Sequence, residues 1–144
     1  ISKYFIKKYY EPDLQLKFIN SLLKLANTSI DISDGLIDDL KKMINRQSVS
    51  FHIFEKNIPI SNSLSQLIKI KKLRKIDVTS RGDDYQILFT ANSNKSRIIK
   101  RISNNTGIKI TKIGKIISGK NKSKIINIKN KQIEPKNKGY IHQF

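Results

Sequence analysis

Cysteine and tryptophan are absent from this chain, and methionine occurs once. Without cysteine there is neither a disulfide framework nor a thiol nucleophile. A reducing compartment fits, and the cytoplasm is the expected location. Proline occurs three times and glycine six times in 144 residues, and with 38% hydrophobic and 28% charged residues the composition is not that of a disordered chain. No apolar run approaches the ~18 residues of a membrane span. The opening ISKYFIKKYY breaks its apolar run at Lys7 and Lys8, so no secretory leader is expected. The chain opens on Ile1 rather than Met, as a piece of a longer polypeptide would. Acids are also scarce. Eleven Asp and Glu face 29 Lys and Arg, a net charge of +18.

What is present suits one domain with an Ile- and Leu-based core, because 38% of residues are hydrophobic and the length matches a typical domain. The positive charge has two readings. One is a polyanionic partner, nucleic acid or acidic lipid. The other is compositional drift, since Lys, Asn and Ile crowd the chain together. Only five of the 29 basic residues are Arg. Few aromatics sit among the basic runs, whereas nucleic-acid modules tend to use both. Nucleic acid is therefore not the expected partner, although a basic nucleic-acid-binding module stays an alternative. The acids run against the drift and are more informative.

Six of the eleven acids fall in two short stretches, Asp31-Ile32-Ser33-Asp34-Gly35-Leu36-Ile37-Asp38-Asp39 and Gly82-Asp83-Asp84. Like charges this close repel unless a cation compensates. A divalent metal is one compensator, because Mg²⁺ prefers carboxylate oxygens. Neighbouring lysines are the other. Ser33 stands where a helix would start, so its N–H and hydroxyl are candidates to face a phosphate. With an early helix start, Asp31, Asp34 and Asp38 would share one face. An ordinary N-cap with acids in the first turn explains the same pattern. The Gly82-Asp83-Asp84 turn is expected to bring a second carboxylate pair alongside.

The periodicity predicts interleaved helices and strands. Residues 1–12 read as a lead-in segment. Asp13 caps a helix over 14–26 with Leu14, Phe18, Leu22 and Leu25 as its stripe. Residues 27–32 break that pattern, and Ser33 caps a second helix over 34–46. Residues 49–54 form a strand, and Ile60-Ser61-Asn62 starts a short helix through Leu64, Leu67 and Ile68. Residues 76–78 form a short strand, 80–84 a turn and 85–90 a buried strand. A helix over 94–103 stops at Gly107. Strands follow over 108–117 and 123–128. The expected class is α/β (α+β), a two-layer domain with a mixed sheet and flanking helices.

Four segments together resemble a known family. Ser29-Ile30-Asp31-Ile32-Ser33-Asp34-Gly35-Leu36, followed by Asp38-Asp39-Leu40, resembles the SxDxSDGL…DL segment of thiamine-monophosphate kinases. Arg81-Gly82-Asp83-Asp84-Tyr85-Gln86-Ile87-Leu88-Phe89-Thr90 resembles that family's GG(E/D)DYELLFT segment. Ile113-Gly114-Lys115-Ile116 is similar to its IGxI strand, and Gly139-Tyr140-Ile141-His142-Gln143-Phe144 to its GYDHF-type ending. Tyr9-Tyr10-Glu11-Pro12 fits the lead into its C-terminal domain. The chain departs from the pattern at Arg81, which replaces a glycine, at Gln86, which replaces a glutamate, and at Ile141 and Gln143.

The resemblance implies a C-terminal domain over 13–144, of the type found in aminoimidazole ribonucleotide synthetase. It makes residues 1–12 the linker from a missing N-terminal domain. The implied activity is Mg²⁺-assisted, in-line transfer of the ATP γ-phosphoryl group to thiamine monophosphate, giving thiamine diphosphate, in a homodimer. Another ATP-dependent enzyme of the same superfamily is the alternative. By carry-over, Asp31 and Asp34 would ligate Mg²⁺, Ser33 would contact ATP, and Asp83 and Tyr140 would contact the thiamine substrate. Phe144 competes with Tyr140 for that role. No residue of this chain is assigned as acid, base or nucleophile, and the fragment alone is expected to be inactive.

Two other signals are set aside. Gly114 to Asn121 approximates a phosphate loop but ends in Asn121 instead of Ser or Thr, and strand-like sequence follows. His52 and His142 have no partner cluster and read as packing or surface residues.

Overall fold

The computed structural model describes residues 2–13 and 15–136. Helix α1 covers Ser2–Tyr10, so the lead-in segment is helical. The helix expected over 14–26 is shorter. A 3-10 turn at Leu16–Phe18 passes directly into α2, Ile19–Leu25. Of the expected stripe, Phe18 and Leu25 are buried. Leu14 lies outside the described residues.

The run that breaks the helical pattern is itself a strand, β1 (Ala26–Asp31), missed by the periodicity. Its apolar content is low, but its burial alternates along the strand. That is the signature of a half-buried strand in side chains too small and polar to show it as hydropathy. It pairs antiparallel with β3 (Ile87–Ala91), matching Asp31 to Ile87 and Ile30 to Leu88. A second, mixed sheet has the order β4-β2-β5-β6. Here β2 is Val49–Phe54, β4 Gly114–Ser118, β5 Lys124–Ile126 and β6 Gln132–Ile133. The strand expected over 108–117 is thus confined to its last residues. Strand β2 is antiparallel to β4 and parallel to β5.

Helix α3 (Leu36–Met43) joins the layers. Leu36, Ile37, Leu40 and Met43 pack with Phe51, Ile53 and Ile125 from the mixed sheet and Leu88 from β3. The mixed sheet with flanking helices matches the class expected from the sequence. Helix α4 (Asn62–Ile70) starts as read, with the Ser61 hydroxyl accepting the Leu64 N–H at 3.1 Å. Residues 76–78, expected as a strand, instead lie in helix α5 (Lys75–Thr79). Tertiary contacts override the local β-preference there. Ile76 is fully buried in the core, its N–H donates to the Glu55 carboxylate at 3.3 Å, and Asp77 pairs back to Arg74. Helix α6 (Ser96–Thr106) ends at Gly107 in the left-handed conformation, as read.

Candidate functional site

The loop between β1 and α3 is organised by Asp39. Its helical spacing from Leu36, Leu40 and Met43 puts this carboxylate on the apolar face of α3. It is 1% exposed. A buried carboxylate must be satisfied or neutralised. One Asp39 oxygen accepts the backbone N–H groups of Ser33 (2.9 Å), Asp34 (2.9 Å) and Gly35 (3.1 Å). The other accepts from the Lys42 ammonium at 2.9 Å. Burial pushes the Asp39 carboxyl up, but Lys42 and the three N–H donors outweigh it and hold it below its ordinary value.

This corrects two expectations. Ser33 does not cap the helix, because α3 begins at Leu36, with Gly35 at the cap position and φ +128°. The Ser33 N–H is already engaged by Asp39, so the side-chain hydroxyl is what Ser33 has to present to an anion. Nor do Asp31, Asp34 and Asp38 share a helix face. Asp31 ends β1 on its exposed side, Asp34 lies in the loop, and Asp38 sits in the first turn of α3, bridged to Lys41 at 3.2 Å. Asp39 and Lys42 are what the sequence reading missed. The available signal was an acid in the middle of an apolar helical stripe.

Lysine compensates much of the acidic charge. Lys42 hydrogen-bonds both Asp34 and Asp39, and those two carboxylates, Asp34 first, raise its pKa above the ordinary value. Among the described residues no group of three His, Cys, Asp or Glu side chains could hold a metal. Asp31 and Asp34 nevertheless suit a partial Mg²⁺ site in donor chemistry, because Mg²⁺ in phosphoryl-transfer sites takes one or two carboxylates and completes its shell with water and phosphate.

The second acidic stretch does come alongside. Beyond the β1–β3 ladder, the Ile32 N–H donates to Gln86 O, the Tyr85 N–H to Ile32 O and the Asp83 N–H to Ser33 O, each at 2.9 Å. Gly82 makes this approach possible. A Cβ there would meet Ser33 O at 2.3 Å and the Asp34 carbonyl carbon at 2.9 Å, and its φ is +90°. Gly35 likewise lies against Ser80, whose carbonyl oxygen a Cβ would meet at 2.5 Å. Asp83 and Tyr85 adopt φ of +59° and +49°, uncommon for non-glycine residues and concentrated at functional segments. Asp83 is exposed. Asp84 is also exposed by surface area, yet the protein crowding its carboxyl, and secondarily Asp83, push its pKa up to about 6.

Tyr140, Phe144 and His142 lie outside the described residues. The near-phosphate-loop stretch is strand β4 and a turn, and strand β5 follows it where a phosphate loop would open a helix. His52 lies in β2 between Lys115 and Lys124.

No family model matches the chain. Individual relatives do. It is 28% identical over 95% of its length to the thiamine-monophosphate kinase of Aquifex aeolicus. To that of Buchnera aphidicola subsp. Schizaphis graminum it is 32% identical over 99% of its length. The resemblance to thiamine-monophosphate kinases is borne out. The fold agrees as well. A solved structure of the Aquifex aeolicus protein complexed with AMPPCP and TMP superposes on 96% of this chain with a TM-score of 0.72 and 28% identity. The thiamine-monophosphate kinase of Stenotrophomonas maltophilia covers 79% with a TM-score of 0.69. This chain spans 40% and 43% of the length of the Aquifex and Buchnera kinases, and 40% of the liganded chain.

Proposed function

We propose that the chain is the C-terminal ATP- and substrate-binding domain of a kinase that phosphorylates thiamine monophosphate to thiamine diphosphate. The observation that carries this reading is the union of the two acidic motifs through the Asp83–Ser33 hydrogen bond and the close approach of Gly82. Phosphoryl transfer needs positioned groups and neutralised oxygens rather than a protein nucleophile. A shared rim of carboxylates, hydroxyl and backbone supplies such groups.

In this reading the Asp39 clamp holds residues 33–35 rigid. The Ser33 hydroxyl then faces ATP, and Asp83 faces the thiamine moiety. Asp31 and Asp34 would hold Mg²⁺, which when bound neutralises phosphate oxygens and aligns the transferring group. Tyr140 packs on the substrate. Residues 1–12 lead in from an N-terminal domain that completes the site, and the whole kinase is a homodimer. The short span of this chain against its relatives supports that division, and 13–144 alone is expected to be inactive.

The test is release of ADP from Mg-ATP that depends on thiamine monophosphate. It uses the longest natural polypeptide carrying this sequence, with and without Asp34→Ala. Expected is substrate-dependent ADP that falls by about 100-fold or more in the variant, the scale of losing a transition-state charge contact. No substrate-dependent ADP from the folded polypeptide overturns the thiamine reading.

A further inference from the structure

A cavity of about 230 Å³ is lined by Lys72, Leu73, Arg74, Asp77, Val78, Arg81 and Lys136. Four of these side chains are cationic and one is acidic. The acid is already engaged. Asp77 pairs with Arg74 at 3.5 Å and accepts the Lys136 backbone N–H at 2.8 Å. Among the described residues no ion pair joins Lys72, Arg81 or Lys136 to a carboxylate. Three segments distant in sequence, the α4–α5 connection, the end of α5 and residue 136, thus direct cations into one concavity. Bringing like charges together costs energy that a bound anion would recover. The volume exceeds that of one small ion, being roughly eight times a water molecule's share of the liquid. Arg81 also stands where the resembled motif has glycine, so this cation is a feature of the chain itself.

We propose that this cavity binds a diphosphate group, with Lys72, Arg81 and Lys136 as its charge partners and Arg74 held in place by Asp77. Arg and Lys together suit linked phosphates, because Arg engages two oxygens in one plane and Lys acts as a point charge. Leu73 and Val78 supply the apolar part of the lining. The site shares none of the side chains proposed to hold metal, ATP or substrate, and Arg81 joins it to the second acidic stretch as the residue before Gly82.

The test is calorimetric titration of the 144-residue chain with inorganic pyrophosphate, in EDTA and at constant ionic strength. Without divalent metal the acidic rim repels the probe. Expected is one saturable site, weakened by about tenfold or more in Lys72→Ala/Arg81→Ala, consistent with loss of charge-assisted contacts. Arg81→Gly, which restores the residue of the resembled motif, is expected to weaken it alone. A Lys129→Ala/Lys131→Ala variant, altered elsewhere on the surface, is expected to bind like the parent. Competition by ADP supports the proposal, because ADP carries the same group. Absence of saturable binding, equal weakening in the Lys129→Ala/Lys131→Ala variant, or competition by adenosine overturns it. Far-ultraviolet circular dichroism of each variant confirms that the fold is retained.

Discussion

The Asp83 N–H donates to the Ser33 carbonyl at 2.9 Å, joining two segments fifty residues apart in sequence into one rim. Gly82 sits at the closest point. Its φ is +90°, and a Cβ there would lie 2.3 Å from Ser33 O, which leaves no room for a side chain. Gly82→Ala is therefore expected to destabilise the chain by ~1–3 kcal/mol through strain at a special φ. It is also expected to separate Asp83 from Ser33. Denaturant melts measure the first effect. Amide hydrogen exchange at Asp83 and Tyr85 measures the second. Unchanged exchange at both would contradict the close approach.

Asp39 is expected to be the most sensitive acid of the chain. Asp39→Ala strands the three N–H groups of residues 33–35 and leaves Lys42 without one of its two carboxylates. Leaving buried donors without their acceptor costs ~1–3 kcal/mol, while the half-exposed Lys42 keeps water and Asp34 as partners. Asp38→Ala, which removes a more exposed pair with Lys41, is expected to cost at most ~1 kcal/mol. Urea denaturation of both variants checks the contrast. Comparable losses would show that Asp39 is not the clamp.

The two perturbed carboxyls give opposite pH slopes. Asp39 is lowered in the folded state. Its stabilisation is present above its unfolded value of about 3.8 and is lost as pH falls through the lower folded value. Asp84 is raised from 3.8 to about 6. Between those values the folded state binds the extra proton, so stability falls as pH rises from about 4 to about 6. Solvent exposure screens part of this effect. Asp84→Asn is expected to remove that slope and to be more stable than the parent above pH 6. The difference between the two melting curves across pH isolates the term. A constant difference over that range would rule it out.

Lys42 competes with any divalent cation for Asp34, because its ammonium already hydrogen-bonds that carboxylate. Lys42→Gln is expected to raise Mn²⁺ affinity severalfold, as removal of a nearby like charge favours cation binding. Proton relaxation enhancement by Mn²⁺ measures this. Unchanged affinity would place the metal away from Asp34.

Much of the molecule was legible without coordinates. The start of helix α4 near Ser61, strand β2 and the Gly107 stop are local matters of period and turn chemistry, and the sequence shows them. The α/β class and the kinase resemblance were readable too, because the motifs occur in order along the chain. What local sequence did not decide depends on residues far apart. Strand β1 is mostly polar, with Ala26 and Ile30 as its apolar residues, and it exists because β3 pairs with it. Residues 76–78 favour a strand by composition but are helical because Ile76 is buried in the core and Glu55 receives its N–H. Ser33 looked like a cap, yet Asp39 claims its N–H once α3 starts at Leu36. The composition determined the charge, the absence of thiol chemistry and the candidate acids. The tertiary structure decided how those acids are used: Asp39 turned inward as a backbone clamp, Asp34 neutralised by Lys42, and Asp83 placed beside Ser33. Hydrogen bonding and burial act across distances in sequence that no periodicity records.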